Sequence, residues 1–422
     1  MDSETHRAIL AVWSIESARV IASLARIVRD VGLAEELAQD ALLAALEQWP
    51  EQGIPHNPAA WLMTAAKHRA LNTLRRGKLL ERKHDQLGHE LEALGEPERL
   101  IEQLEAALDD DVGDDLLRLI FTSCHPLLST EARVALTLRL LGGLTTDEIA
   151  RAFLAPEPTI AQRIVRAKKT LSEKQVPFEV PRREELSARL ASVLEVVYLI
   201  FNEGYSATAG DDCMRPALSE EALRLGRVLA GLAPDEPEVH GLLALMELNA
   251  SRAAARTTAT GEPVLLLEQD RGRWDQMAIR RGLTALERAQ ALAQEAGPYV
   301  LQASISACHA RARTAEETDW REIAAFYAEL GALLKSPVVE LNRAVAVSMA
   351  EGPAAGLALA DALLSEPALQ RYHLLPSARA EFLEKLGRFA EARTEFERAA
   401  LMTQNARQRE RLLQRARNCG QP

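Results

Sequence analysis

A chain of 422 residues is long for a single hydrophobic core, so two to four domains are expected. Its net charge of −11 excludes a general electrostatic attraction to nucleic acid, so any DNA contact must come from local patches of Lys and Arg. Aromatics make up only 4% of a chain rich in Ala, Leu, Glu and Arg, and strand-like alternation of β-branched residues is nearly absent, which predicts an all-α fold.

The first block, about residues 5–78, reads as several helices. Between Leu33 and Trp49, Leu33, Leu37, Ala41 and Ala44 share one face, flanked by Leu42, Leu46 and Trp49. Glu35, Glu36, Gln39 and Asp40 fall on a polar, acidic face of the same helix. Gly53 and Pro55 end that segment, and Asn57-Pro58 starts the next, with Asn as N-cap and Pro at the first helical position. This third segment is basic: Trp61, Lys67, Arg69, Asn72, Arg75 and Arg76 lie along it.

Residues 79–115 are dominated by Asp and Glu after Arg82-Lys83, the signature of a solvated linker or a polar helix. From 116 to 175 the pattern is helix–turn–helix. A helix from Ser129 to Leu141 stops at Gly142-Gly143, and Thr145-Thr-Asp-Glu148 forms a capping box for a short helix. After the turn Ala155-Pro-Glu157, Pro158 opens a helix through Lys169. There Ile160, Ile164, Ala167 and Leu171 make an apolar stripe. Gln162, Arg166 and Lys169, with Thr159 and Arg163, form a polar, basic face suited to a DNA groove.

Beyond about residue 183 the chain becomes an Ala- and Leu-rich helical array to about 418. Gly387-x-Phe389-xx-Ala392-xxx-Phe396-xx-Ala399 matches the second half of a tetratricopeptide repeat. Cys124, Cys213, Cys308 and Cys419 are widely spaced and unpaired in motif, arguing against zinc or a disulfide framework and for a reducing compartment. Cys124-His125 and Cys308-His309 read as packing residues, because neighbours on a helix diverge and no carboxylate orients either pair. With no HExxH, phosphate loop or dinucleotide fingerprint, neither metal, cofactor nor catalysis is expected. The absence of a signal-peptide pattern and of an 18-residue apolar run predicts a cytoplasmic protein with no membrane span.

The order of these blocks resembles the extracytoplasmic-function sigma factors of bacterial RNA polymerase. The residues that carry the resemblance are Ala34-Glu-Glu-Leu-Ala-Gln-Asp40, Pro58-Ala-Ala-Trp-Leu62 through Asn72-Thr-Leu-Arg-Arg76, and Leu144-Thr-Thr-Asp-Glu-Ile-Ala150 through Arg166-Ala-Lys-Lys169. Residues 5–78 would be sigma region 2, residues 79–115 a linker, and residues 116–175 region 4. Residues 183–418, with Phe201-Asn-Glu-Gly-Tyr-Ser206 and Val339-Glu-Leu-Asn-Arg-Ala-Val345, look like the tetratricopeptide-type extension of one subgroup.

The resemblance implies that core polymerase is the partner, through its β′ clamp helices and β flap, with Glu35, Glu36, Gln39 and Asp40 on the clamp-docking surface. It implies that Trp61, Lys67, Arg69, Asn72, Arg75 and Arg76 read and open the −10 element, near a loop from Glu51 to Asn57 that captures a flipped base. Thr159, Gln162, Arg163 and Arg166 would read the −35 element while Lys168 and Lys169 meet phosphates. A helix–turn–helix regulator with a tetratricopeptide-type ligand- or peptide-binding domain, acting without polymerase, is the alternative. The basic helix at 58–76 argues against it, since a duplex-binding repressor has little use for a second, single-strand reader.

Overall fold

A computed structural model describes residues 3–85, 112–153, 155–181, 183–205, 216–258, 264–403 and 406–420. Those residues contain eighteen α-helices, four short 3₁₀ turns and no β-strand. They fall into two compact units, residues 1–199 and 200–422. Most of the expected acidic linker, 86–111, lies outside the described residues.

In the first unit, α1 (Ser3–Val28), α2 (Val31–Gln52) and α3 (Pro58–Asp85) pack on one another. The chain can leave α1 and start α2 within two residues because Asp30 caps the new helix. Its Oδ1 accepts from the Gly32 and Leu33 amides at 2.8 and 2.9 Å. Asn57 caps α3 in the same way, accepting from the Ala60 amide at 3.1 Å. Ile9, Ala45, Trp49 and Leu62 form the buried centre, with Trp61 set edge-on to Trp49 at 5.4 Å between ring centres. By length and composition alone α1 is long and apolar enough, over Thr5–Val28, to cross a membrane. Its apolar face instead packs against α2, α3 and α4, and half of the apolar window is buried inside the protein, as in a core helix.

The rest of the unit is α4 (Val112–Ser123), α5 (Thr130–Leu140), α6 (Thr146–Ala152) and α7 (Glu157–Glu173). Gly143 supplies the left-handed turn (φ 68°) between α5 and α6. The capping box forms as the spacing predicts: Thr145 Oγ1 accepts from the Glu148 amide at 3.2 Å, and Glu148 Oε2 accepts from the Thr145 amide at 2.8 Å. Ile160, Ile164, Ala167 and Leu171 are all buried, so α7 docks through the predicted stripe.

Helix α8 (Arg183–Tyr205) spans the division between the units. Its first half is tied to the first unit: Ser192 donates to the Cys124 carbonyl at 2.7 Å, Arg189 donates to the Phe121 carbonyl at 2.9 Å, and Arg133 pairs with Glu195 at 3.0 Å. The expected start of the helical array at 183 therefore falls inside the first unit.

The second unit continues with α9 (Pro216–Leu232), α10 (Pro237–Ala250), α11 (Gln276–Leu292), α12 (Pro298–Arg311), α13 (Trp320–Leu334), α14 (Pro337–Glu351), α15 (Pro353–Ala362), α16 (Leu374–Lys385), α17 (Phe389–Met402) and α18 (Ala406–Asn418). Successive helices pack in pairs, as expected of an array that buries a continuous core between neighbours. Gly241 allows α10 and α12 to touch, since a Cβ there would lie 2.8 Å from the Val300 amide nitrogen. At the C-terminal end Leu341, Leu357, Phe382, Phe396 and Ala416 form one cluster from five helices. Ala392, Phe396 and Ala399 are buried as the repeat pattern requires, whereas Phe389 is 45% exposed.

Candidate nucleic-acid interface

The outer face of α7 is the cleanest arrangement in the first unit. Thr159, Gln162, Arg166 and Lys169 are exposed and Arg163 is half-buried. Arg166 makes no ion pair among the described residues, while Lys169 reaches Glu173 at 3.6 Å in an exposed pair worth little. Val165 was not singled out from the sequence, because an isolated apolar residue on a basic face carries no periodic signal. It lies 61% exposed between Gln162 and Lys169, where a branched methyl surface can meet a thymine methyl in a major groove.

Helix α3 presents Asn72 and Arg75 to solvent and holds Lys67 and Arg69 half-buried. The Arg76 side chain lies outside the described residues. Trp61 is half-buried and set edge-on to Trp49, so its ring is positioned by the core.

The acidic face of α2 divides. Glu36 and Asp40 are exposed and Gln39 is half-buried, but Glu35 is 3% exposed. The sequence places all four on one polar face because it cannot show that α7 covers part of it. Glu35 Oε1 accepts from Arg139 Nε of α5 at 2.6 Å and from Gln39 at 2.8 Å, and its other oxygen is paired with Lys168 of α7. Lys168, expected on a phosphate, is thus held by Glu35 in this arrangement. Asp30 lies beside the same junction. Burial alone would raise its pKa, but amide bonds from Leu33 and Gly32, the Ser172 hydroxyl and the Lys168 charge hold it below the usual carboxylate range. Arg26 and Arg118 both bind the buried Asp115, at 2.9 and 2.6 Å. A cleft of about 880 Å³ opens beside these contacts, lined by Arg26, Arg29, Asp30, Arg118, Gln175 and Phe178 among others.

The two Cys–His neighbours do not make a nucleophile and its base. Burial pushes the Cys124 thiol up to about 11 and the Cys308 thiol up to about 12, so both stay protonated at neutral pH. Burial also lowers His125 and His309 to about 4, so neither carries charge there. No group of three or more potential metal ligands occurs among the described residues.

Comparison with known proteins gives these faces a common origin. Residues 16–79 match sigma-70 region 2 and residues 118–171 match sigma-70 region 4. The chain belongs to the sigma-70 family, as an extracytoplasmic-function-like sigma factor with a C-terminal extension. The extension matches a family of unknown function (DUF6596) over residues 189–290. An uncharacterized protein of Rhizobium meliloti is 41% identical over 396 residues, which cover 92% of this chain and 90% of the relative. No solved structure gives a significant match.

A sigma factor is the part of bacterial RNA polymerase that directs promoter recognition and transcription initiation, so the partners of this one are core polymerase and promoter DNA. Sigma families act as DNA-binding regulators and generally not as enzymes. In this sigma factor the region 2 helix α2 and the region 4 helix α7 are joined through Glu35 and Lys168.

Proposed function

We propose that α3 reads and opens the −10 element and that α7 reads the −35 element, in a cytoplasmic complex with core polymerase. The exposed Arg166 on the outer face of α7, without an ion pair among the described residues and backed by four buried apolar residues, is the observation that carries this reading. Thr159, Gln162, Arg163, Val165 and Arg166 supply base-edge contacts, and Lys169 a phosphate contact. On α3, Asn72 has the amide that pairs with an unstacked base, Lys67, Arg69, Arg75 and Arg76 hold phosphates, and Trp61 offers an aromatic edge. Glu36, Gln39 and Asp40 form the clamp-facing patch, with the β flap meeting region 4. Glu35 and Lys168 become available to polymerase and DNA only once their mutual contact opens.

Asn72→Ala tests the α3 assignment, because Asn72 is exposed and its loss removes no core packing. Promoter opening, read by the fluorescence of a 2-aminopurine in the −10 element, should fall about ten-fold, as expected for one lost base contact of roughly 1–3 kcal/mol, while core binding is unchanged. Unaltered opening would contradict the assignment.

The second unit, a tetratricopeptide-type array in this reading, modulates the first. Its removal should keep α8 whole, because Arg189, Ser192 and Glu195 brace α4 and α5. A chain ending after Tyr205 should still bind core polymerase but initiate at an altered rate. Identical rates for the truncated and full-length chains would mean that the array has no modulating role.

A further inference from the structure

Between the ends of α8, α10 and α12 the second unit gathers the cationic side chains Arg252, Arg256 and Arg271, and the first two have no carboxylate partner among the described residues. Arg252 and Arg256 both converge on Tyr205, whose hydroxyl bonds Arg252 and whose ring lies 3.7 Å from the Arg256 guanidinium carbon. Trp274 sits against Arg252 and Arg271, at 6.0 and 4.8 Å from ring centre to guanidinium carbon. Arg271 is committed to the fold, donating to the His309 and Ala312 carbonyls and to Thr318 Oγ1, so it closes the C-terminal end of α12. Glu316 and Glu317 exert their pull on this same Arg271. Arg252 donates to Asn249 Oδ1 through one of its five N–H groups. Among the described residues, neither Arg252 nor Arg256 forms an ion pair.

Charge excess coincides with unmet hydrogen bonding. Arg252 Nε, Trp274 Nε1 and His309 Nδ1 are buried and have no hydrogen-bond partner among the described residues. Trp274 is 4% and His309 7% exposed. Buried donors without acceptors each cost on the order of 1–3 kcal/mol, so Arg252 Nε and Trp274 Nε1, set beside the Arg252 and Arg256 guanidinium groups, describe a site made for an acceptor with negative charge. His309 agrees, being held neutral by burial together with the fields of Arg252 and Arg271.

We propose that the C-terminal unit binds a small anion, through a carboxylate or phosphate group, at Arg252, Arg256 and the Trp274 indole. Arg252 and Arg256 supply charge and N–H donors, the Trp274 N–H adds a third donor, and the Tyr205 ring fixes the Arg256 plane. This is independent of the promoter-reading assignment, because binding is measured on the sigma factor alone.

The test is calorimetric titration of the full chain with inorganic phosphate and, separately, with succinate, at constant ionic strength. One-to-one binding of either probe is expected, weakened at least ten-fold in Arg256→Gln and in Arg252→Gln. Circular dichroism checks that each variant folds, and Arg256→Gln alone decides the matter should Arg252→Gln fail to fold. The His309 imidazole, followed by NMR, should titrate at higher pH with the bound probe, since a nearby anion favours the imidazolium. A purely structural cluster would not show that movement. Absence of saturable binding, or binding insensitive to Arg256→Gln, overturns the proposal. So does binding that appears only in the Asp211→Asn/Asp212→Asn variant, because the acceptor would then be the chain's own carboxylates.

Discussion

Arg166→Ala lowers promoter-specific initiation by about 5- to 150-fold, the consequence of losing roughly 1–3 kcal/mol of base readout, and relaxes specificity at one −35 position. The side chain is exposed, makes no ion pair among the described residues and lies opposite the buried Ile164 and Ala167, so its removal leaves α7 seated. Core-polymerase binding and the thermal midpoint therefore stay at wild-type values. Lys169→Ala gives a different pattern, weakening all sequences alike and reducing the salt dependence by about one phosphate. Initiation assays on a set of −35 variants, with a pull-down of core polymerase, separate the two. Equal loss of core binding by Arg166→Ala would place this residue on polymerase instead of DNA.

Glu35→Gln has the largest effect expected on the first unit. The carboxylate is almost wholly buried and neutralises two cations from different helices, Arg139 at 2.6 Å and Lys168. Removing one member of a buried pair costs about 3–5 kcal/mol when the other charge stays buried. Arg139 and Lys168 remain 23% and 21% exposed, so they can turn partly to solvent and the cost drops to about 2–3 kcal/mol. A lower urea midpoint with unchanged slope is the expected reading. Freed from Glu35, Lys168 is also available to phosphate, so weak duplex binding should strengthen and its salt dependence should steepen by about one phosphate. An unchanged midpoint together with unchanged duplex binding would mean that the junction between α2 and α7 contributes nothing.

These two residues also show how far the sequence carries. Arg166 is legible because its role depends only on the helical period: once Ile160, Ile164, Ala167 and Leu171 face inward, residues 162, 166 and 169 must face out. The caps at Asn57 and Thr145 are legible for the same reason, being local hydrogen bonds between residues three apart. Glu35 is illegible because its surroundings are set by Arg139 and Lys168, more than a hundred residues away. Helix α1 is a second case: its length and composition alone would fit a membrane span, and only tertiary contact says that α2, α3 and α4 cover it. Arg252, Arg256, Trp274 and His309 are scattered over nearly sixty residues with no periodic signature. Of that cluster, the sequence marks only Tyr205 and His309, each within a short polar string.

This chain confers promoter specificity on core polymerase. Transcription reconstituted from the purified chain, core polymerase and a genomic promoter library measures that directly. Transcripts should start at fixed distances downstream of a shared pair of −35 and −10 sequences, and only when chain and core are both present. Tight binding of the free chain to duplex DNA, with no added initiation when core is supplied, would contradict it.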